Sequence, residues 1–550
     1  MADKLFVIAI GGTGMRCLES FVHLCAIGMF DNEEIEVLTL DTDQANGNKG
    51  RVEQLIELYN RIKSNETSNI NGGEPNVDTF FSAKINLHRF FTNYTDQSRK
   101  TYRLLSSVQN ASSEEKRDNE DLASLFLDAD TVQAFDLSHG YRAQTHLGSM
   151  LMYHGIVEAA THYAKDKNSA AKQEVELADF LTLLAQAGGQ ARVFVFGSVF
   201  GGTGASSIPV IPVALKEAVD ILGQNTLDLT KAKFGSTLLT EYFTFTAPDD
   251  QMKKEQRIVA DANNFALNSQ AALQFYQGDP TVKQVYRRLY HIGWPLQREN
   301  VSEGSLATIT GGAEQKNRCH VVELMCACAA YDFFTINESL LGDAGHEAEY
   351  LYRVVPISGS NFDFSGSDFV GSKGDVFMNK LGAMFSLSHV ILAKHEAALG
   401  QQGVKGLLDR FRKQNIEDYN ALTDEQAAEI DKYFKLFAYD IDKNGNLIPG
   451  WIYQIHDSVG SGKFMFRPEA FPDRSGLKDV DPGNIFVDER HKWDKSTLAF
   501  GSGARYDHFI SKIVADSRCL PKEKQKVNTV KERFLAHIYN GITIAQKFNV

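Results

Sequence analysis

With 550 residues, 43% of them hydrophobic and 23% charged, the chain can bury a large core and should hold two or three domains, which excludes a disordered or fibrous protein. A formal net charge of −13 argues against wrapping nucleic acid or lying on an anionic membrane surface. The six cysteines lack CxxC spacing, no apolar run reaches membrane-spanning length, and Leu5–Ile10 is too short for a signal peptide, so a soluble cytoplasmic protein without membrane insertion is expected.

Leu5–Ile10 (LFVIAI) reads as a short buried strand that runs into Gly11-Gly12-Thr13-Gly14 and the apolar-periodic segment Met15–Ile27. Glu36–Leu40 reads as the next strand and ends in Asp41-Thr42-Asp43. Strand, helix and strand in so short a stretch open a parallel sheet. Acids at the carboxyl edge of such a sheet are placed to hold Mg²⁺ or a ribose, although a helix cap also uses Asp. Residues 52–137 are polar and discontinuous and read as containing an insertion. Ser138–Tyr153 carries Arg142 in a Gly-containing loop before a helix of small residues, where a cation can face a phosphate. Lys165–Ala191 reads as a helix.

The strand Val193–Phe196 leads into a second glycine turn, Gly201-Gly202-Thr203-Gly204, followed by Ala205 and another helix. Glycines at a strand–helix junction let backbone N–H groups and the positive end of the helix dipole converge on one point, which suits phosphate. A Walker loop is excluded because Ala205-Ser206 follows the last Gly, and Cys17 stands where a dinucleotide fingerprint needs its third Gly. Pro212 marks the start of the next helix and Ser236–Thr246 a further strand. Gln251–Tyr276 reads as a long helix with Asn263, Asn264 and Asn268 in its middle, where amides can match a purine edge. Asn317, His320 and Glu323 lie at the start of a helix expected from about Arg318. Farther on, a strand is expected over Glu349–Ser358 and helices over Val376–Leu399 and Gly406–Tyr439. The Asp440–Leu447 turn lacks the EF-hand Glu, WIYQIH from Trp451 reads as a strand, Gly460–Lys463 as a hairpin turn, and Lys522–Val550 as a helix.

FGGTGAS resembles the signature loop of the tubulin/FtsZ superfamily, and IAIGGTGMRCLESF is similar to the first phosphate loop of FtsZ-like proteins. Asp41-Thr42-Asp43 stands where those chains carry Asn-Thr-Asp, with Asp43 the matching acid. The resemblance implies a doubly wound α/β fold with a mainly parallel sheet. Its nucleotide-binding domain would cover residues 1–275, with a central helix at 251–276 and the insertion within 52–137. A second α/β domain at 276–400 and a C-terminal extension at 401–550 would follow. It also implies GTP or GDP with Mg²⁺, held by Gly11, Gly12, Thr13, Gly14, Gly201, Gly202, Thr203, Gly204 and Ala205. Asp41 and Asp43 would lie beside them, Asp43 holding Mg²⁺ directly or through water, Arg142 at the terminal phosphate, and Asn264 with Phe265 at the base. Asn317, His320 and Glu323 would reach into the next subunit's nucleotide and polarise the attacking water. The implied function is a GTPase that polymerises head-to-tail. An inactive or non-filamentous nucleotide sensor or scaffold, and a Rossmann-type oxidoreductase, are the alternatives.

Overall fold

The computed structural model describes residues 3–43, 45–64, 73–91, 141, 145–224, 227–244, 261–294, 298–299, 312–313, 315–342, 347–354, 364–392, 403–414, 419–460, 464–467, 486–488, 491–493 and 516–548. Its centre is a parallel sheet of seven strands: β1 (Lys4–Ile10), β2 (Glu34–Asp41), β3 (Lys84–Phe91), β4 (Ala191–Phe196), β5 (Lys233–Leu239), β6 (Tyr286–Gly293) and β7 (Glu349–Val354). They lie in the order β3-β2-β1-β4-β5-β6-β7. β1, β4 and β5 are buried along almost their whole length, as continuous apolar strands covered on both faces must be.

The helices divide between the two faces. One face carries α1 (Gly11–Ala26) and α2 (Gly47–Lys63). The other carries α3 (Thr145–Lys165), α4 (Lys172–Ala187) and, after the short α5 (Gly202–Ser207), α6 (Ile211–Ile221). Pro212 sits in the first turn of α6, where its missing N–H costs nothing. α7 (Phe265–Gly278) follows, and α8 (Val321–Thr335) runs within the first face. Thirteen of the 15 residues of α8 are buried, so it is apolar all round.

The C-terminal helices complete the first face: α9 (Gly374–Leu392), α10 (Gly403–Gln414), α11 (Asp424–Phe437), α12 (Trp451–Val459) and α13 (Val530–Ala545). Trp451 stacks on His23 of α1 with ring centroids 4.6 Å apart and donates to Ser20 Oγ at 3.0 Å. Lys63 of α2 is fully buried against Asn76, the Phe81 carbonyl and Glu532 of α13.

Several sequence expectations are corrected here. β6 and β7 extend the same sheet past residue 275. α2 and β3 place residues 52–63 and 84–91 inside the core fold, while 92–137 lie outside the described residues. The long helix expected at 251–276 is described only from Ala262, where Asp261 caps a single 3₁₀ turn before α7; residues 251–260 lie outside the description. WIYQIH is helical: Trp451, Ile452, Ile455, Ser458 and Val459 are buried at helical spacing, while Gln454 and Asp457 lie on the more exposed side. Before it, Tyr439–Ile441 and Leu447–Pro449 pair as a short hairpin. All six cysteines are buried free thiols. Among the described residues, no helix is long and apolar enough to cross a membrane.

Candidate functional site

The two glycine turns meet. β1 and β4 are neighbours, with Ala9 opposite Phe196, so both chains leave the sheet side by side at its carboxyl edge. Gly11 has φ +65°, a conformation that L side chains rarely adopt, and a Cβ there would stand 3.0 Å from Thr203 Cβ. A Cβ on Gly14 would stand 2.5 Å from the Phe196 carbonyl oxygen. Neither α1 nor α5 has a side-chain cap, and α1 has no acid in its first turn, which leaves first-turn N–H groups for a ligand or water. Gly12, Thr13, Gly201, Gly202 and Thr203 are partly exposed; Gly11, Gly14, Gly204 and Ala205 are buried behind them. From the opposite face, α3 packs on the second turn, its Ser149 hydroxyl donating to the Ser206 carbonyl at 2.7 Å. Arg142 lies outside the described residues.

Asp41 and Asp43 stand beside the first turn and differ in what they have left to give. Asp43 accepts from the Ala45 N–H through one oxygen and from the Gly312 N–H, at 2.6 Å, through the other. Asp41 accepts from the N–H groups of Thr42 and Asp43 through Oδ1 alone. Its Oδ2 and the neighbouring Thr42 hydroxyl are buried with no partner. Burial, then the nearby Asp43 charge, pushes the Asp41 carboxyl up to about 7. An acid raised on folding holds its proton in the folded state after the unfolded chain has lost it. Stability therefore falls as pH climbs from the ordinary 3.8 to about 7. Asp41→Asn is expected to remove this slope, so thermal melting from pH 4 to 8 should flatten relative to the unchanged protein.

A strap of chain, described at 312–313 and 315–320, lies over the first turn. Gln315 accepts from the Asn46 amide at 2.8 Å, and Asn317 and Asn48 exchange two hydrogen bonds, of 3.0 and 3.1 Å. A Cβ on Gly12 would meet the amide ends of Asn46, Gln315 and Asn48 at 3.3, 3.4 and 3.6 Å. Arg51 donates to the Asn317 carbonyl and pairs with Glu19, while Arg16 donates to the Arg318 carbonyl. The strap then passes to α12, where Cys319 N–H donates to Gln454 and Val321 N–H to Ser458.

This geometry corrects the role expected of Glu323. Its side chain is fully buried, ion-paired with Arg16 and accepting from the Tyr242 hydroxyl at 2.6 Å. It also accepts from the His320 N–H at 2.9 Å, the return half of a capping box at the start of α8. Burial raises its carboxyl, and Arg16 pulls it back. His320 is the helix cap, with its ring edge-on to Trp294 and in contact with Tyr242. Asn317 acts within its own chain.

The base-binding pair is corrected as well. Phe265 is buried against Phe200, with centroids 4.9 Å apart, and against Phe243, so its ring serves the core; Asn264 is exposed. Asn268 is the amide of this helix that reaches the second turn, donating to the Phe200 carbonyl at 3.4 Å. Asn46, Asn48 and Gln315, which line the first turn, had a readable signal only in Asn46, a strong N-cap residue just past Asp43. Among the described residues no cluster of three or more His, Cys, Asp or Glu could hold a metal. Compared with models of known families, with curated proteins and with solved structures, the chain shows no match.

Proposed function

We propose that the chain is a nucleotide-binding protein whose phosphate cradle is formed jointly by Gly11–Gly14 and Gly201–Ala205. The observation that carries this reading is the meeting of two uncapped strand–glycine–helix turns on adjacent parallel strands. Their N–H groups and the hydroxyls of Thr13 and Thr203 would bind the phosphates of GTP or GDP. Mg²⁺, which would neutralise phosphate charge, fits Asp41 and Thr42 better than Asp43, because the former carry the unpartnered oxygens. The amides of Asn46, Asn48, Gln315 and Asn317 would orient the nucleotide or yield to it.

The resemblance to tubulin and FtsZ supports a head-to-tail GTPase, but that reading needs an acid offered to the next subunit. The burial of Glu323 against Arg16 favours the alternative of a tubulin-like sensor or scaffold that holds nucleotide without assembly-dependent hydrolysis. Isothermal titration of the full chain with GTP, ATP and NAD tests the first claim; tight NAD binding without GTP binding would replace it with a dinucleotide-dependent activity. Light scattering and electron microscopy with GTP and a slowly hydrolysed analogue test the second, since nucleotide-dependent filaments would restore the polymerising reading. Gly202→Val should abolish GTP binding by pushing bulk into the phosphate path, measured by the same titration on protein shown to be folded by circular dichroism.

A further inference from the structure

A cavity of about 650 Å³ that shares no lining residue with the glycine turns lies between α7, the residues that follow β5, and the strands β6 and β7. α7 buries Phe265, Ser269 and Tyr276 and leaves its glutamines exposed. Ser269 and the half-buried Leu273 form the floor of the cavity on the helix side, and the exposed Gln270, Gln274 and Gln277 stand at its mouth. The sheet supplies the other wall. Tyr350 and Tyr352 are two apart on β7 and so project from one face, and His291 of β6 stands with its ring centroid 5.3 Å from that of Tyr352.

The charge of the lining is one-sided. Among the described residues Glu241 is its carboxylate, accepting from the Ser269 hydroxyl at 2.6 Å, and no Lys or Arg lines the cavity. Burial lowers the His291 pKa, so the imidazole adds no positive charge at neutral pH. The Tyr350 hydroxyl is buried with no partner. Phosphate and carboxylate ligands would meet a like charge with nothing to offset it. An ammonium would meet aromatic faces, a carboxylate and amide carbonyls, the groups that recognise organic cations.

We propose that this cavity binds a small organic cation of the amine class, with Glu241 as counter-charge, Tyr350 and Tyr352 as aromatic walls, and the α7 glutamines accepting its N–H groups. The proposal goes beyond the nucleotide reading and does not depend on it. The probe is spermidine, titrated calorimetrically into the nucleotide-free full-length protein at moderate salt. Because the whole chain is acidic, Asp166→Asn, at an exposed turn after α3, serves as a charge-matched control. Saturable binding with one site is expected, weakened about tenfold or more in Glu241→Gln and unchanged in Asp166→Asn. Tyr352→Ala, at a position 68% exposed and so tolerant of truncation, should weaken it by about fivefold and serves if Glu241→Gln does not fold. Absence of saturable binding, equal weakening in Glu241→Gln and Asp166→Asn, or no effect of Tyr352→Ala would overturn the proposal. So would binding of neutral guanosine in place of spermidine, lost in Glu241→Gln.

Discussion

Glu323→Ala should cost the fold about 3–5 kcal/mol, because it leaves the Arg16 guanidinium charged and buried without its counter-ion. Tyr242 loses its acceptor and α8 loses the acid of its capping box in the same stroke. The measurement is a urea midpoint, and the distinguishing comparison is the double variant Arg16→Met with Glu323→Leu. Replacing both charges by apolar groups removes the orphan and should recover much of the loss. A catalytic acid at the surface would behave otherwise. Glu323→Ala would then keep full stability and slow turnover alone, and that result would return Glu323 to the site.

Gly14→Ala should be strongly destabilising for a single added methyl. Its Cβ would lie 2.5 Å from the Phe196 carbonyl oxygen and 3.3 Å from Ala9 carbon, both backbone atoms of paired strands that cannot swing away as a side chain would. Overpacking of this kind costs about 1–3 kcal/mol when neighbours can adjust and more when they cannot. Gly50→Ala, with nothing within 4 Å of the added carbon, is the control and should be neutral or slightly stabilising, since Ala is the better helix former. If melting temperatures of the two variants coincide, α1 does not press on β4 as closely as the structure has it.

What was legible in the sequence was local. The glycine turns declare themselves because strand, Gly-Gly-Thr-Gly and helix are contiguous, and their meeting follows once both are placed on one parallel sheet. The burial of Glu323 was not legible: an acid three residues past a cap looks the same whether its helix is wet or dry, and its partner Arg16 is far away in the chain. The polar look of α2 misled for a similar reason. Asn60 and Lys63 are buried there only because the Ile85 and Phe81 carbonyls, Asn76 and Glu532 satisfy them. Between Asn264 and Asn268 nothing in the sequence chooses; the choice is made by where Phe200 comes to lie.

The stacking of Trp451 on His23 and the locking of Lys63 by Glu532 have a consequence for biosynthesis. The first two helices leave the ribosome well before the residues that seal their outer side, Trp451 and Glu532, which lie several hundred positions later in the chain. At about 5–20 residues per second, that side stays open to solvent for tens of seconds. A nascent chain with so long a delay between these helices and their cover is a natural client for a chaperone, and a shortened transcript lacking the closing segments would leave a product that clumps rather than a smaller working protein.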